Sequence, residues 1–228
     1  MPDDFGIFLP RTWRLHPALC HFVSGAVYED RLGCEPHTLE RVLVHGAHAP
    51  AWMTRTAGLV YAPVEHAGNV YESTEEEEQI ARLVRALMAQ RLRGKDGSVR
   101  HLTAGDILVV APYNLQVRRL ERRLRPIRVG TVDKFQGQEA AVVIFSMCAS
   151  SGEASPRGIE FLFSRNRLNV AISRAQTLAV VVASPALVRT RCSSIDQIRL
   201  LNMYCRAVAE ASVGAGAECQ GRVVTAPL

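Results

Sequence analysis

Short, unbroken apolar runs constrain this chain more than any other feature. They lie within Asp106–Val110, Ala141–Met147 and Leu178–Ala183, and Val, Ile, Leu and Ala fill them with little alternation. A strand with one wet face alternates; an apolar run of this length that does not alternate suits a strand covered on both faces, as in a parallel sheet. Gly58–Val64 and Ile127–Val132 are predicted strands of the same sheet. Helix signals fall between the strands. Ser73 and Thr74, followed by Glu75–Glu78, supply capping hydroxyls and an acidic first turn. Ile80, Leu83, Val84, Leu87 and Met88 then recur at the spacing of one buried helix face, and Gly94 is expected to close that helix. Asn114–Arg125 (stopped by Pro126), Arg165–Ala175 and Ile195–Ala211 are the next predicted helices. Such alternation specifies an α/β fold, a mostly parallel sheet with helices on both faces.

The length of 228 residues suits one sizeable domain, and a composition that is 48% apolar excludes a disordered chain. No apolar run approaches the roughly 20 residues that span a bilayer. Met1–Phe5 does not open a signal peptide, so the expectation is a cytoplasmic protein with no membrane partner. The six cysteines lack C-x-x-C spacing and are expected to be reduced thiols. His45 and His48, near His37, offer too few ligands for a metal site and read as polar loop histidines. A net charge of +5 hints at a polyanionic partner.

Polar chemistry concentrates in three segments. Val129–Glu139 carries Thr131, Asp133, Lys134, Gln136, Gln138 and Glu139, more than a buried sheet needs. Phe163–Ala175 carries Arg167 and Arg174 two helical turns apart, with Leu168, Val170 and Ile172 to anchor the helix. Thr12–Pro17 is the third. All three are expected at the carboxyl ends of strands, where open parallel sheets bind ligands. The helix from Asn114 holds Arg118, Arg119, Arg122, Arg123 and Arg125 against Glu121 alone. That face can attract phosphates, be merely solvated, or meet another lobe.

These segments resemble motifs of superfamily 1B helicases. Gly130–Glu139 is similar to motif V, Arg167–Ala175 to motif VI, Val110–Gln116 to motif IV, and Trp13-Arg-Leu-His-Pro17 to the motif joining the two motor lobes. The resemblance covers about residues 11–190. His66-Ala-Gly-Asn69 before the acidic run, with Ala171–Ala175, further resembles the helicase half of bacterial RecB-like nuclease–helicase fusions. The resemblance implies a RecA-like second lobe of the P-loop NTPase type over residues 58–212. Residues 1–18 would close an inter-lobe segment, 19–57 would be an irregular excursion, and 213–228 a frayed tail.

Roles follow from the resemblance. Arg14 and Arg174 would reach the γ-phosphate of ATP, Arg174 as an arginine finger. Trp13, standing where the family usually has Tyr, would stack on adenine or be a packing residue. Gln138, Glu139 and Arg167 would serve the nucleotide, with Gln138 and Gln136 coupling it to nucleic acid unless they merely cap turns. Tyr113, Thr131 and Gln136 would meet single-stranded DNA, with RNA as the other candidate strand. The chain has no G-x-x-x-x-G-K-[ST]: Gly94-Lys95 is followed by Asp96, and the position five before Gly94 is Ala89. Neither does an acidic pair follow Ala141–Met147. ATP and Mg²⁺ would therefore be shared with a first lobe, expected upstream together with any nuclease domain. The alternatives are a non-catalytic nucleic-acid-binding module and a remnant of a nuclease–helicase.

Overall fold

The computed structural model describes residues 8–46, 53, 55–135 and 137–212. In chain order the elements are β1 (Arg11–Thr12), α1 (Pro17–Val27), β2 (Gly33–Cys34), β3 (Val42–Val44), β4 (Gly58–Pro63), α2 (Thr74–Met88), β5 (Arg91–Arg93) and β6 (Val99–His101). There follow β7 (Ile107–Val110), α3 (Asn114–Leu124), β8 (Arg128–Gly130), β9 (Ala140–Ser146), α4 (Ile159–Leu162), α5 (Arg165–Ser173), β10 (Ala175–Ala183) and α6 (Ile195–Ser212).

Five strands form one parallel sheet in the order β4-β10-β9-β7-β8, as the α/β pattern predicts. The unbroken apolar runs have a direct cause, because alternate residues enter two cores. Leu108, Val110, Val143, Phe145, Ala179 and Val181 face α1, α5 and α6. Ile107, Val109, Val142, Ile144, Leu178 and Val180 face α2 and α3. With both faces covered, neither set can be polar.

Ser73 caps α2 as expected: its Oγ accepts from Glu76 N at 3.0 Å. Two expectations are corrected. The helix ends at Met88, well before Gly94. Gly94 instead opens the turn between β5 and β6, where Gly97 holds φ +79° and Gly94 N donates to Ser98 O at 2.8 Å. Gly94-Lys95 thus lies in an antiparallel hairpin outside the main sheet. The segment 19–57 is also less irregular than expected. Most of α1 lies in it, with Leu19, Phe22 and Val23 buried in the core. Pro17 stands in the first turn of α1, where its missing N–H is no loss, and His16 Nδ1 accepts from Ala18 N at 3.1 Å. A histidine cap is outside the usual Ser/Thr/Asp/Asn set, so the helix start was not legible. The tail 213–228 and the segment 47–52 lie outside the described residues.

Candidate functional site

The helix between two parallel strands must run against them, and this decides where the predicted residues go. Chain direction carries α5 from the carboxyl end of the sheet back to the first residue of β10. Arg167 and Arg174 therefore sit at its two ends, about 10 Å apart by helical rise. The segment 131–139 likewise descends from the end of β8 to the start of β9. Only Tyr113, Thr131 and Arg167 lie toward the carboxyl ends; Arg14, Glu139 and Arg174 gather at the amino ends of β9 and β10. The expectation that all three segments share the carboxyl edge is corrected accordingly.

At the amino edge, Arg14 Nε donates to Glu139 Oε2, and Arg14 Nη1 donates to Ser173 O at 3.3 Å. Gln176 Nε2 donates to the other Glu139 oxygen at 2.7 Å. Two backbone bonds hold the pieces in register: His16 N to Gln176 O at 2.8 Å and Ala140 N to Arg174 O at 3.1 Å. Arg41 Nη1 fixes the Arg14 segment by donating to Arg14 O at 2.8 Å and Trp13 O at 3.3 Å. Burial alone would raise the Glu139 carboxyl, but hydrogen bonds from Arg14 and Gln176 and the charges of Arg14 and Arg41 hold it below the usual range. Arg174 caps the end of α5, and its Nε is buried with no hydrogen-bond partner. Burial, and the nearby charge of Arg14, lower its guanidinium from the ordinary value, with Glu139 opposing. Three arginines around one carboxylate leave excess positive charge, which suits a phosphate oxygen. Trp13 is 65% exposed beside this cluster, its ring 5.2 Å from that of His37. A packing role for Trp13 does not fit that exposure.

At the carboxyl edge, Tyr71, Tyr113, Thr131, Asp133, Arg157 and Arg167 line a cavity of about 400 Å³. Tyr113 is 5% exposed, and its hydroxyl lies 2.8 Å from Ser155 Oγ. Its ring stacks on Phe161 at 5.4 Å and meets Tyr71 edge-on at 5.5 Å. Tyr113 is thus a wall of the groove and not an open stacking platform; Tyr71, 45% exposed, is the ring offered to solvent. Arg157 and Arg167 lie over Phe161 at 4.0 Å and 4.3 Å from its centroid. Arg167 also meets Asp133 at 3.4 Å. It belongs to this groove, not beside the Arg14–Glu139 pair, which corrects its expected place. Gln138 is separated too. Successive residues of an extended chain point opposite ways, and where Glu139 turns to Arg14, Gln138 Oε1 accepts from Arg128 Nη1 at 3.1 Å at the outer edge. Gln136 lies outside the described residues.

Residues 4–186 match a protein-family model described as an AAA domain. The chain belongs to this AAA-domain family. Relatives of the AAA domain include the DNA-binding protein SMUBP-2 of Rattus norvegicus, 28% identical over 183 residues, covering 75% of this chain and 17% of that protein. DNA polymerase alpha-associated DNA helicase A of Schizosaccharomyces pombe is 28% identical over 196 residues, covering 80% of this chain and 28% of that protein. Helicase sen1 of the same yeast is 30% identical over 187 residues, covering 78% and 11%. The chain therefore spans less than a third of each of these relatives. Among solved structures, a C-terminal domain of a possible DNA helicase from a Lactobacillus superposes with TM-score 0.40 at 15% identity, covering 83% of this chain and 94% of that one.

Beneath the carboxyl edge the AAA domain buries a network that sequence reasoning missed. Glu76 reads as one of four acidic first-turn residues, yet it is fully buried. Ser146 Oγ donates to Glu76 Oε2 at 2.6 Å and Cys148 N donates at 3.0 Å. His66 bridges onward, its Nε2 3.1 Å from Glu76 Oε1 and its Nδ1 2.7 Å from Ser150 Oγ. Burial pushes the Glu76 carboxyl above its usual range against these hydrogen bonds. The network ties the end of β9 to the loop that carries Ser155 and Arg157. Gln176, Arg41 and Arg157 were also missed; none sits in a quoted motif. No described helix is long and apolar enough to cross a membrane.

Proposed function

We propose that the chain is the second motor lobe of an ATP-driven superfamily 1 helicase, RecA-like in fold, and supplies arginines to a nucleotide held by a first lobe. The observation that carries this reading is the amino-edge cluster: Arg14, Arg41 and Arg174 gathered around the one carboxylate of Glu139. Phosphoryl transfer spreads charge over the γ-phosphate oxygens, and guanidinium groups neutralise it. Arg174 and Arg14 meet those oxygens, Glu139 and Gln176 face the ribose side, and Trp13 stacks on the adenine. Without nucleotide, Glu139 balances Arg14. Mg²⁺ comes with the first lobe, held between the nucleotide phosphates and that lobe's carboxylates. The carboxyl-edge groove takes a single strand of DNA (or RNA), with Thr131, Tyr71, Arg157 and Arg167 on its walls. The helix α5 runs between the two sites, and in this reading it couples nucleotide and strand. The further link to a RecB-like nuclease rests on the His66–Asn69 resemblance.

The test is reconstitution. Combining the chain with a first lobe that carries a phosphate-binding loop is expected to give strand-stimulated ATP hydrolysis. Arg174→Ala should lower turnover by about 10³-fold or more, with nucleotide affinity nearly unchanged. Equal turnover by wild type and Arg174→Ala would refute the assignment.

A further inference from the structure

The groove does not end at the carboxyl edge. Leu115, in the first turn of α3, lines both the groove and a second depression shared with Arg119, Arg122 and Arg123. From there α3 runs down the side of the molecule. Its buried positions are Gln116, Val117, Leu120 and Leu124. The opposite face presents Asn114, Leu115, Arg118, Arg122 and Arg125, all exposed. Arg118 and Arg122 stand at i and i+4 on one helix face, and Arg125, the residue that caps the helix, continues their line at i+7.

The acids nearby are already engaged. Arg119 takes Glu77 at 2.8 Å and Glu72 at 3.3 Å, and Lys134 takes Glu121 at 2.9 Å. Among the described residues Arg118, Arg122 and Arg125 form no ion pair. A solubilising face gains from mixed charge, whereas this stripe carries one sign and begins where the groove opens.

We propose that this stripe is a track for the phosphodiester backbone of the strand leaving the groove. The inference rests on the groove's assignment to a single strand. Arg118 to Arg125 spans about 10 Å along the helix and its cap, roughly three phosphates at the stacked spacing of a strand. Arginine matches phosphate with paired donors, and contact with the backbone alone makes the track indifferent to sequence.

The test measures fluorescence anisotropy of labelled oligothymidylates of about 6 and about 20 nucleotides, over a salt series. The proteins are wild type, Arg167→Ala and the triple variant R118Q/R122Q/R125Q. Gln keeps helix propensity close to that of Arg, and circular dichroism checks that the fold survives. For the long oligomer, the triple variant should flatten the plot of log affinity against log salt by about 2, since each strand phosphate contributes about 0.7. Binding of the short oligomer should change little, whereas Arg167→Ala should weaken both. An unchanged slope in the triple variant, with Arg167→Ala still weakening binding, overturns the track and leaves the groove standing. No binding by wild type overturns both. An unchanged slope together with lost hydrolysis in the reconstituted motor overturns the track in favour of a lobe contact.

Discussion

Glu76 shows how much one side chain can hold in place. A carboxyl group without solvent needs hydrogen-bond partners, and Glu76 has Ser146, Cys148 N and His66. Removing it strands all three in a buried site. Glu76→Ala is therefore expected to cost about 1–3 kcal/mol for each partner left buried and unsatisfied. Urea unfolding checks this, and a loss below about 1 kcal/mol would mean the site relaxes or admits water. The Arg14–Glu139 pair is of another kind. Its side chains are 33% and 43% exposed, so it contributes little stability and remains free to exchange partners.

Elements set which residues meet. Gly130 ends β8 where the segment toward Glu139 begins. A Cβ there would lie 2.6 Å from Lys134 Cδ and 3.1 Å from two Phe135 ring atoms. Lys134 can swing aside, but Phe135 is 3% exposed and packed in the core. Gly130→Ala is expected to cost about 1–3 kcal/mol by overpacking and to weaken single-strand binding by shifting Thr131. Thermal melting and the anisotropy assay check it; unchanged values in both would show that the segment yields freely. The strands were legible because two covered faces force apolar runs. The α2 start was legible because Ser73 caps it in the common way, and its end was misjudged because Gly94 serves a hairpin. The position of α5 relative to the sheet was not legible from helical spacing, which puts Arg167 and Arg174 on one face but leaves open that their ends of the helix serve different sites. Residues 14, 139 and 174 come together only through tertiary structure, so motif resemblance alone suggested a shared site. Nothing in the sequence marked Arg41 or Gln176, whose roles arise from where residues 13–16 meet Arg41 and the start of β10.

On the scale of the whole molecule, the five-stranded sheet separates two positive sites, one at each end. The helix α5 spans between them, and the proposed motor would use it to let nucleotide state alter the grip on a strand. The chain carries a net charge of +5, and the amino-edge cluster, the groove and the α3 stripe each present arginines. In the proposed function the chain contributes arginines to an ATP site that a first lobe completes. ATP hydrolysis by the purified chain, with and without single-stranded DNA and then with a first lobe added, tests this most directly. The account predicts no turnover above background by the chain alone in either condition, and strand-stimulated turnover once the first lobe is added. Strand-stimulated hydrolysis by the chain alone, lost in Arg174→Ala, would contradict it and show that this chain builds a complete site.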